Sequence, residues 1–321
     1  MDDIVQFDFP TDSPKIIKVI GVGGGGGNAV NHMYREGIHD VTFVLCNTDN
    51  QALKESPVPV KLQLGRSITE GLGAGNRPER AREAAEESSE EIKALLNDGT
   101  KMVFITAGMG GGTGTGAAPV IARIAKEMDI LTVAVVTKPF GFEGRRRMQQ
   151  AEAGIAELKD KVDSLVIIPN ERLKHATDQK ITFANAFEIA DDVLRQAVQS
   201  ISDLIRDTGF INLDFADVTA IMKNAGMAHM GVGRAAGKNK AEEATKMAVA
   251  SPLLETSIDG AKGVIVNITG PMDMGLEEVE IATNMVKEVA DPDALFMLGA
   301  GVRFLPGTVK VLRKLMVAVS R

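Results

Sequence analysis

The chain alternates between short apolar runs and longer stretches in which apolar residues recur every three or four positions. The short runs predict buried strands, and the periodic stretches predict helices. In the first half of the chain the predicted strands are residues 15–20, 41–46, 102–107, 131–136 and 164–168. Because these strands alternate with helical stretches, the pattern predicts an α/β fold with a mostly parallel sheet covered by helices on both faces.

The second half of the chain begins with one long helix, predicted from Ile181 to about Ile205 by its apolar period. A second, smaller α/β unit follows, in which Gly231-Val232-Gly233 is predicted to be a turn or a strand end. Its other predicted elements are a helix at 241–250, a strand at 263–269, a helix with the apolar face Leu276, Val279, Thr283 and Val286, and closing strands at 294–298 and 308–320. The predicted organisation is a disordered leader (1–14), a first α/β domain (15–180), a central helix (181–208) and a C-terminal domain (209–321).

The glycine-rich segment Gly110–Gly116 stands between a predicted strand and a helix pattern that we expect to hold Pro119 in its first turn. Glycine lets the backbone approach a ligand, and a helix start adds unpaired N–H groups and a partial positive charge. This combination favours phosphate binding. The interleaved threonine hydroxyls could reach a phosphate oxygen or a metal-bound water. The alternative is a flexible loop. Flexible loops are typically mixtures of glycine and serine, without a strand directly before and a helix directly after.

Two further glycine segments precede predicted helices. Gly21–Asn28 contains G-x-G-x-x-G and is followed by a helix predicted from Ala29 to about Arg35, a pattern that alone would weakly suggest a dinucleotide site. Gly71–Gly75 is followed by Asn76, a candidate helix N-cap. Ligands in parallel sheets bind at the carboxyl ends of the strands, and we expect all three glycine segments at that edge. The chain lacks the P-loop motif, so backbone N–H groups and a cation such as Mg²⁺ would have to meet the phosphate charge.

Three aspartates are candidate functional groups. Asp191 interrupts the apolar pattern near the start of the long helix, which indicates either exposure or a carboxylate that accepts two N–H donors, as a guanine edge offers. Asp214 and Asp217 fit the N-cap and N3 positions of a helix that reaches about Asn224. Capping alone is the simpler interpretation of that pair.

Composition narrows the class of protein. The chain has 321 residues, 44% of them hydrophobic, and a net charge of −7, which argues against a nucleic-acid surface. No apolar run reaches the ~18 residues of a membrane span, and the N-terminus lacks a signal-peptide pattern, so we expect a cytoplasmic protein without direct membrane insertion. The single cysteine, Cys46, is expected to be a buried thiol, and the four histidines show no metal-ligand spacing.

Taken together, these motifs resemble one known family. The segment Gly110–Gly116 is similar to the signature of the tubulin/FtsZ superfamily, and Gly21–Asn28, Gly71–Gly75, Phe142–Arg145 and Asn212–Asp217 look like segments of its FtsZ branch. The resemblance runs from about Ile16 to Asp293. It implies a Rossmann-like GTPase domain, a central helix and a second domain. It also implies GTP/GDP binding, Mg²⁺-assisted hydrolysis and head-to-tail assembly into protofilaments of the bacterial septal ring at mid-cell.

The resemblance also implies roles for individual residues. Those implied to bind the nucleotide are Gly24, Gly25, Gly26, Gly27, Asn28, Gly111, Gly112, Thr113, Gly114, Thr115, Gly116, Glu143, Arg147, Asn170, Phe183 and Asp191. Those implied to act on the attacking water are Asn212, Asp214 and Asp217. Mg²⁺ would be held through the phosphates and water, without a direct protein ligand. About 30 Å of helix separates the two sets, so the carboxylates are expected to act on the GTP of a neighbouring subunit.

The end of the chain departs from the family pattern. Residues 303–306 replace an acidic turn, and the tail peptide that binds membrane-tethering proteins in the family is absent, so we expect a chain that polymerises without attaching itself to a membrane. Division regulators are further partners that the family implies. Two rival functions are an NAD-dependent oxidoreductase that uses Gly21–Gly26 and a nucleotide-binding structural protein that does not hydrolyse. A preference for GTP over NAD tests the first rival, and phosphate release tests the second.

Overall fold

The structure is a computed structural model that describes residues 15–38, 40–175, 181–182, 185–206, 209–251, 256–302 and 311–320. The leader predicted at 1–14 and the predicted nucleotide contact Phe183 lie outside these residues.

Strands and helices alternate through the first half of the chain, as the pattern predicts. The elements are β1 Ile17–Val22, α1 Gly23–Glu36, β2 Val41–Asn47, α2 Asn50–Glu55, β3 Val60–Gln63, α3 Arg66–Thr69, α4 Pro78–Glu87, α5 Ser89–Leu96, β4 Met102–Gly108, α6 Thr113–Glu127, β5 Leu131–Lys138, α7 Arg145–Lys159 and β6 Ser164–Pro169. Two 3-10 helices, Gly141–Glu143 and Asn170–His175, follow β5 and β6.

The long helix and the second unit complete the fold. Their elements are α8 Ala186–Arg206, α9 Phe215–Met222, β7 Gly226–Ala236, α10 Lys240–Val249, β8 Gly263–Gly270, α11 Leu276–Lys287, β9 Leu295–Val302 and β10 Val311–Ser320. With a rise of 1.5 Å per residue, α8 is roughly 30 Å long. The closing strands predicted near 294–298 and 308–320 are confirmed as β9 and β10.

All the strands join one sheet, in the order β3-β2-β1-β4-β5-β6-β7-β10-β8-β9. The strands from β3 to β6 pair in parallel, whereas β10 runs antiparallel to both of its neighbours. The two halves of the sheet meet where β6 and β7 pair over only two positions, Ser164 with Gly226 and Leu165 with Met227.

Successive strand residues point to opposite faces of the sheet, and helices cover both faces. In β1, Val19 belongs to the core under α1, α8 and α9, whereas Ile20 belongs to the core under α4, α5, α6 and α7. A third core lies between β8 and the helices α10 and α11. Burial on both faces explains why these strands read as continuous apolar runs.

Two helices begin earlier than the sequence pattern predicts. Helix α1 begins at Gly23 instead of Ala29, so the glycine run forms its first turns. Helix α6 begins at Thr113, which places Pro119 inside the helix and makes the first-turn prediction wrong. Packing overrides the low helix propensity of glycine here, because a Cβ on Gly26 would overlap the carbonyl oxygen of Thr106 and one on Gly116 would overlap that of Pro78.

Two predictions in the second unit are wrong. Gly231 and Gly233 lie inside β7 instead of at a turn. They are glycines because α10 packs directly on them, so that added Cβ atoms would overlap the carbonyl oxygens of Ala248 and Ala244. Leu276 was predicted on the buried face of its helix, but it is 75% exposed, whereas Thr283 and Val286 are buried as predicted.

Candidate functional site

Two glycine segments touch each other at the carboxyl edge of β1 and β4. A Cβ atom built on Gly23 would lie 2.8 Å from the backbone nitrogen of Gly114, and one built on Gly25 would lie 3.1 Å from Cα of Gly108. A side chain at Gly23 would therefore force the two backbones apart, one at Gly25 would require Gly108 to shift slightly, and Gly23 also has a positive φ of 71°. Glycine is therefore what lets the start of α1 and the loop before α6 meet backbone to backbone.

The third glycine segment, Gly71–Gly75, lies against Gly110–Gly116. Asn76, which follows it, adopts a left-handed conformation with φ 57°. Its Cα would lie 3.2 Å from a Cβ built on Gly112. The prediction that Asn76 is a helix N-cap is wrong, because Arg77 has that position and is extended, as expected for a residue before proline.

The outer side of the two helix starts is open. A Cβ on Gly24 or Gly27 would meet no heavy atom of the described residues within 4 Å. At the start of α6, Gly111 and Thr113 are half-buried. The first turn of each helix has N–H groups without helical partners and the positive end of the helix dipole. The two starts therefore form one surface that suits phosphate groups.

Other residues that were predicted to bind the nucleotide are buried behind this surface. Gly26, Gly112, Gly114 and Gly116 have their Cβ positions occupied by neighbouring backbone or side-chain atoms. The hydroxyl of Thr115, which is also buried, accepts a hydrogen bond of 2.8 Å from the backbone N–H of Gly110. Close packing of the loop accounts for the identity of these five residues, and their contact with a nucleotide stays a prediction.

A cleft extends from the start of α1 to the first turns of α8. The residues that line it are Gly25, Asn28, Gly108, Met109, Thr137, Pro139, Glu143, Arg147, Asn170, Phe187, Ala190, Asp191 and Leu194. Six of the residues that the resemblance implies as nucleotide contacts thus line one cleft, namely Gly25, Asn28, Glu143, Arg147, Asn170 and Asp191.

Glu143 and Arg147 form an ion pair at one side of the cleft. The Oε2 atom of Glu143 lies 3.0 Å from Nε of Arg147, and its Oε1 atom accepts a hydrogen bond of 2.8 Å from the backbone N–H of Phe140. Both side chains are therefore held in place before any ligand binds. The positive φ of Gly110 lets its backbone pass close to Arg147, which leaves the guanidinium beside the glycine loop.

Two polar groups in the cleft have unusual environments. The Oδ1 atom of Asn170 is buried and has no hydrogen-bond partner among the described residues. Burial, together with repulsion from Glu188, raises the pKa of Asp191 to about 7. A buried acceptor without a donor costs free energy that a ligand N–H group would recover. Both groups therefore suit a ligand edge that donates hydrogen bonds.

The sequence analysis missed several residues that line the cleft. Thr137 and Pro139 lie at the end of β5, and Phe187 and Leu194 lie on α8. The spacing of Phe187, Asp191 and Leu194 places them on one helix face, and this signal could have extended the prediction from Asp191 to its neighbours.

Asn212, Asp214 and Asp217 lie elsewhere, at the start of α9. The Oδ1 atom of Asp214 accepts a hydrogen bond of 2.8 Å from the N–H of Asp217, and Oδ2 of Asp217 accepts one of 3.0 Å from the N–H of Asp214. The predicted cap is present, and a second role for the two carboxylates stays a prediction. Oδ1 of Asn212 accepts a hydrogen bond of 2.5 Å from the N–H of Gly209. Each cap bond uses one carboxylate oxygen, so the second oxygen of each aspartate lies outside the cap.

Helix α9 lies at the opposite edge of the sheet from the cleft. Phe215, which follows Asp214, lines a groove with Leu131 at the start of β5, whereas Thr137 near the end of the same strand lines the cleft. Six residues of strand span about 20 Å. The carboxylate pair and the cleft of one molecule are therefore too far apart to contact the same atoms.

Other kinds of site find little support in the described part of the chain. No group of three or more His, Cys, Asp or Glu side chains in the described ranges could hold a metal ion. No helix in the same ranges is long and apolar enough to cross a membrane. Cys46 is buried as predicted, and burial raises the pKa of its thiol to about 12.

Known proteins of the same architecture share this arrangement of elements. An FtsZ dimer structure from M. jannaschii, described as empty, is 44% identical in sequence, with a TM-score of 0.87 over 96% of this chain and 89% of that one. A structure of a point mutant of FtsZ from M. jannaschii is also 44% identical, with a TM-score of 0.86 over 95% of this chain and 90% of that one. CetZ2 from Haloferax volcanii, in a GTPγS-bound protofilament, is 21% identical with a TM-score of 0.78 over 95% and 92% of the two chains, and shares the fold.

The sequence itself matches two family descriptions. Residues 16–178, which contain the three glycine segments and most of the cleft, match the GTPase domain of the Tubulin/FtsZ family. Residues 226–318 match the C-terminal domain of the FtsZ family. The chain therefore belongs to the tubulin/FtsZ family.

Proposed function

We propose that this chain binds GTP, hydrolyses it to GDP and phosphate, and assembles head-to-tail into protofilaments of a bacterial division ring. Membership of a GTPase family supports the nucleotide and the reaction. The dimer formed by an FtsZ relative supports self-association. The geometry of the cleft and of the carboxylate pair supports the finer assignments.

In this proposal the nucleotide extends from the cleft onto the glycine surface. Asn170 and Asp191 accept hydrogen bonds from the guanine edge, because one has a buried acceptor without a donor and the other is a half-buried carboxyl group. Glu143 and Arg147 contact ribose and phosphate. The starts of α1 and α6 bind the phosphates with backbone N–H groups. Mg²⁺ bound to the phosphate oxygens would neutralise part of their charge.

The catalytic carboxylates come from a second molecule. The observation that carries this step is the position of α9, about 20 Å along β5 from the cleft of its own chain. Water activation needs hydrogen-bond contact, so Asp214 and Asp217 reach a γ-phosphate only across a subunit junction. Their second oxygens would accept hydrogen bonds from the attacking water, with Asn212 beside them. A junction between unlike surfaces repeats without closing and produces a filament.

The dependence of the GTPase rate on protein concentration tests this proposal. A shared site predicts almost no phosphate release below a threshold concentration and a steep rise above it. A rate per molecule that stays constant at all concentrations would show a self-contained site. Light scattering of the same samples establishes whether the threshold for hydrolysis coincides with assembly. Division regulators and a mid-cell position belong to the same proposal, and imaging of a fluorescent fusion in dividing cells tests the position.

A further inference from the structure

The helix that carries the carboxylate pair is tied to the parallel sheet at its far end. Helix α9 ends at Met222, and the carbonyl oxygen of Met222 accepts a hydrogen bond of 2.7 Å from the hydroxyl of Ser164. Ser164 is the first residue of β6 and is fully buried. The end of α9 therefore meets the sheet, at the edge opposite the cleft, through a directional contact.

Asp163, the residue before β6, makes further contacts of the same kind. Its Oδ1 atom accepts a hydrogen bond of 3.2 Å from the N–H of Asn224, two residues beyond α9. Its Oδ2 atom accepts one of 2.9 Å from the N–H of Thr132 in β5. Nζ of Lys126, near the end of α6, lies 3.6 Å from Oδ1. Asp163 is 2% exposed, so its carboxylate is a buried junction between β5, α6 and the residues that follow α9.

The chain just before α9 is tied to the second unit instead. Ile211 forms an isolated antiparallel bridge with Ala300 of β9, and their backbones exchange two hydrogen bonds of 3.0 Å. Asp214 and Asp217 lie between this bridge and the contacts of Asp163. The segment that carries the two carboxylates therefore spans the two halves of the molecule, with a tie to each half.

Apolar packing alone would not fix α9 in one position. Val218 and Ile221 are buried in the core under the sheet. Burial of apolar surface is non-directional, so it holds α9 against the sheet without selecting one rotation about the helix axis. Hydrogen bonds have preferred lengths and angles, so the bonds to Met222 and Asn224 select that rotation. Because α9 has only eight residues, a shift at its end would be carried to its start, about 12 Å away.

We propose that Asp163 is a positioning residue for GTP hydrolysis. It fixes Asp214 and Asp217, at the other end of α9, in the place from which they reach the GTP of the next subunit. This inference rests on the proposed function. Asp163 itself contacts neither the nucleotide nor the attacking water and acts only through α9. Misplacement of a catalytic group by about 1 Å can slow a reaction about 100-fold, so loss of this tie should slow hydrolysis while GTP still binds.

The test compares three variants of the full chain. Asp163→Asn keeps the size of the side chain but replaces one acceptor oxygen by an NH₂ group, so it cannot accept both hydrogen bonds in their present places. Ser164→Ala removes only the bond to Met222. Ser88→Ala is the matched control, because Ser88 is also buried, lies between α4 and α5, and accepts a hydrogen bond of 3.0 Å from the N–H of Gly65 through its hydroxyl oxygen.

Four quantities are measured for each variant: GTP affinity below the assembly threshold, the amount of sedimented filament, the melting temperature, and phosphate release per subunit in the filament. Asp163→Asn should release phosphate about tenfold more slowly, and Ser164→Ala about threefold more slowly. GTP affinity and filament amount should change less than about twofold in both variants. Ser88→Ala should lower the melting temperature without changing the rate. A normal rate in Asp163→Asn filaments would overturn the inference, as would an equal fall in the control.

A double-mutant cycle separates a positioning role from a general weakening of the fold. If Asp163 acts through the carboxylates, Asp163→Asn should cause no further loss of rate in a chain that already carries Asp214→Asn and Asp217→Asn. A further fall of about tenfold would show an independent role and overturn the inference. Should Asp163→Asn fail to fold, Ser164→Ala in the same cycle decides the question.

Failure of the proposed function has a different signature. Normal turnover by the chain with both Asp214→Asn and Asp217→Asn would contradict the proposed function, and this inference with it. Slow turnover by that chain together with normal turnover by Asp163→Asn would contradict this inference alone.

Discussion

The two ends of α8 lie beside the two groups of residues that the proposed function treats as half-sites, and these consist of different chemical groups. At its start, the cleft and the phosphate surface consist largely of backbone, with glycines packed so closely that added Cβ atoms would overlap their neighbours. Beyond its end, the Asp214/Asp217 pair consists of side chains that cap α9 through each other's backbone N–H groups. The first half-site can bind phosphate but has few groups that could activate water. The second has such groups but only a surface groove beside it. Under the proposed function neither end is a complete active site by itself, and this is why the proposal places the reaction between two molecules.

The largest effect should come from removing the charge of the carboxylate pair while keeping its cap. Asparagine caps helices as well as aspartate does, so Asp214→Asn and Asp217→Asn should keep their melting temperature. Each should release phosphate at least about 100-fold more slowly, while GTP binding stays unchanged. Asp217→Ala, which also loses the cap contact, should be equally inactive and less stable by about 1 kcal/mol. An asparagine variant with normal turnover would leave these residues a capping role only.

A second comparison separates packed from open glycines within α1. Gly26→Ala places a methyl group against the carbonyl of Thr106 and should lower the free energy of unfolding by about 3 kcal/mol. Gly27→Ala, one position later, faces open space and should raise that free energy by up to about 1 kcal/mol. The added methyl of Gly27→Ala should nevertheless weaken GTP binding, because it occupies the phosphate surface. Denaturant unfolding and nucleotide titration measure the two effects, and equal stabilities for the pair would contradict the packing argument.

The cleft should also respond to pH through Asp191. Its pKa is raised from 3.8 to about 7, so protonation competes with binding to a donor edge. GTP affinity should fall about tenfold for each pH unit below 7. Without nucleotide, the folded state holds this proton more tightly than the unfolded state does, so the contribution to stability is complete below pH 3.8 and is lost as pH rises toward 7. Asp191→Asn should remove the pH dependence of GTP affinity and the contribution of this residue to the pH dependence of stability. A pH profile that survives this substitution would have to come from another group.

The smallest effect concerns the unpartnered oxygen of Asn170. Asn170→Leu should raise the free energy of unfolding of the nucleotide-free protein by about 1 kcal/mol, because it removes a buried acceptor without a donor. The same substitution should weaken GTP binding several-fold, because it removes a contact with the ligand. Ser202→Ala is a matched control in α8, because its hydroxyl is likewise buried without a partner among the described residues. It should change stability without changing GTP affinity.

The sequence predicts the strands and most helices well. Strands buried on both faces appear as continuous apolar runs, and helices with one buried face appear as apolar residues every three or four positions. It fails where packing overrides propensity. The glycine runs at the start of α1 and inside β7 look like loops, but Gly25, Gly26, Gly231 and Gly233 each have backbone of a neighbouring element against them. The cap formed by Asp214 and Asp217 was predictable from spacing alone. The meeting of Asn28, Glu143, Asn170 and Asp191 in one cleft came from the family resemblance, since no local pattern links positions so far apart.

The short pairing of β6 with β7, which we call the seam of the sheet, has a mechanical consequence. Only two residue pairs connect the halves of the sheet there, whereas β5 and β6 share six. A twisting load applied to the molecule would meet less resistance at this junction than between β5 and β6. Any bend that develops along a strand of stacked subunits would be concentrated inside each one, at the seam, as well as at the contacts between them.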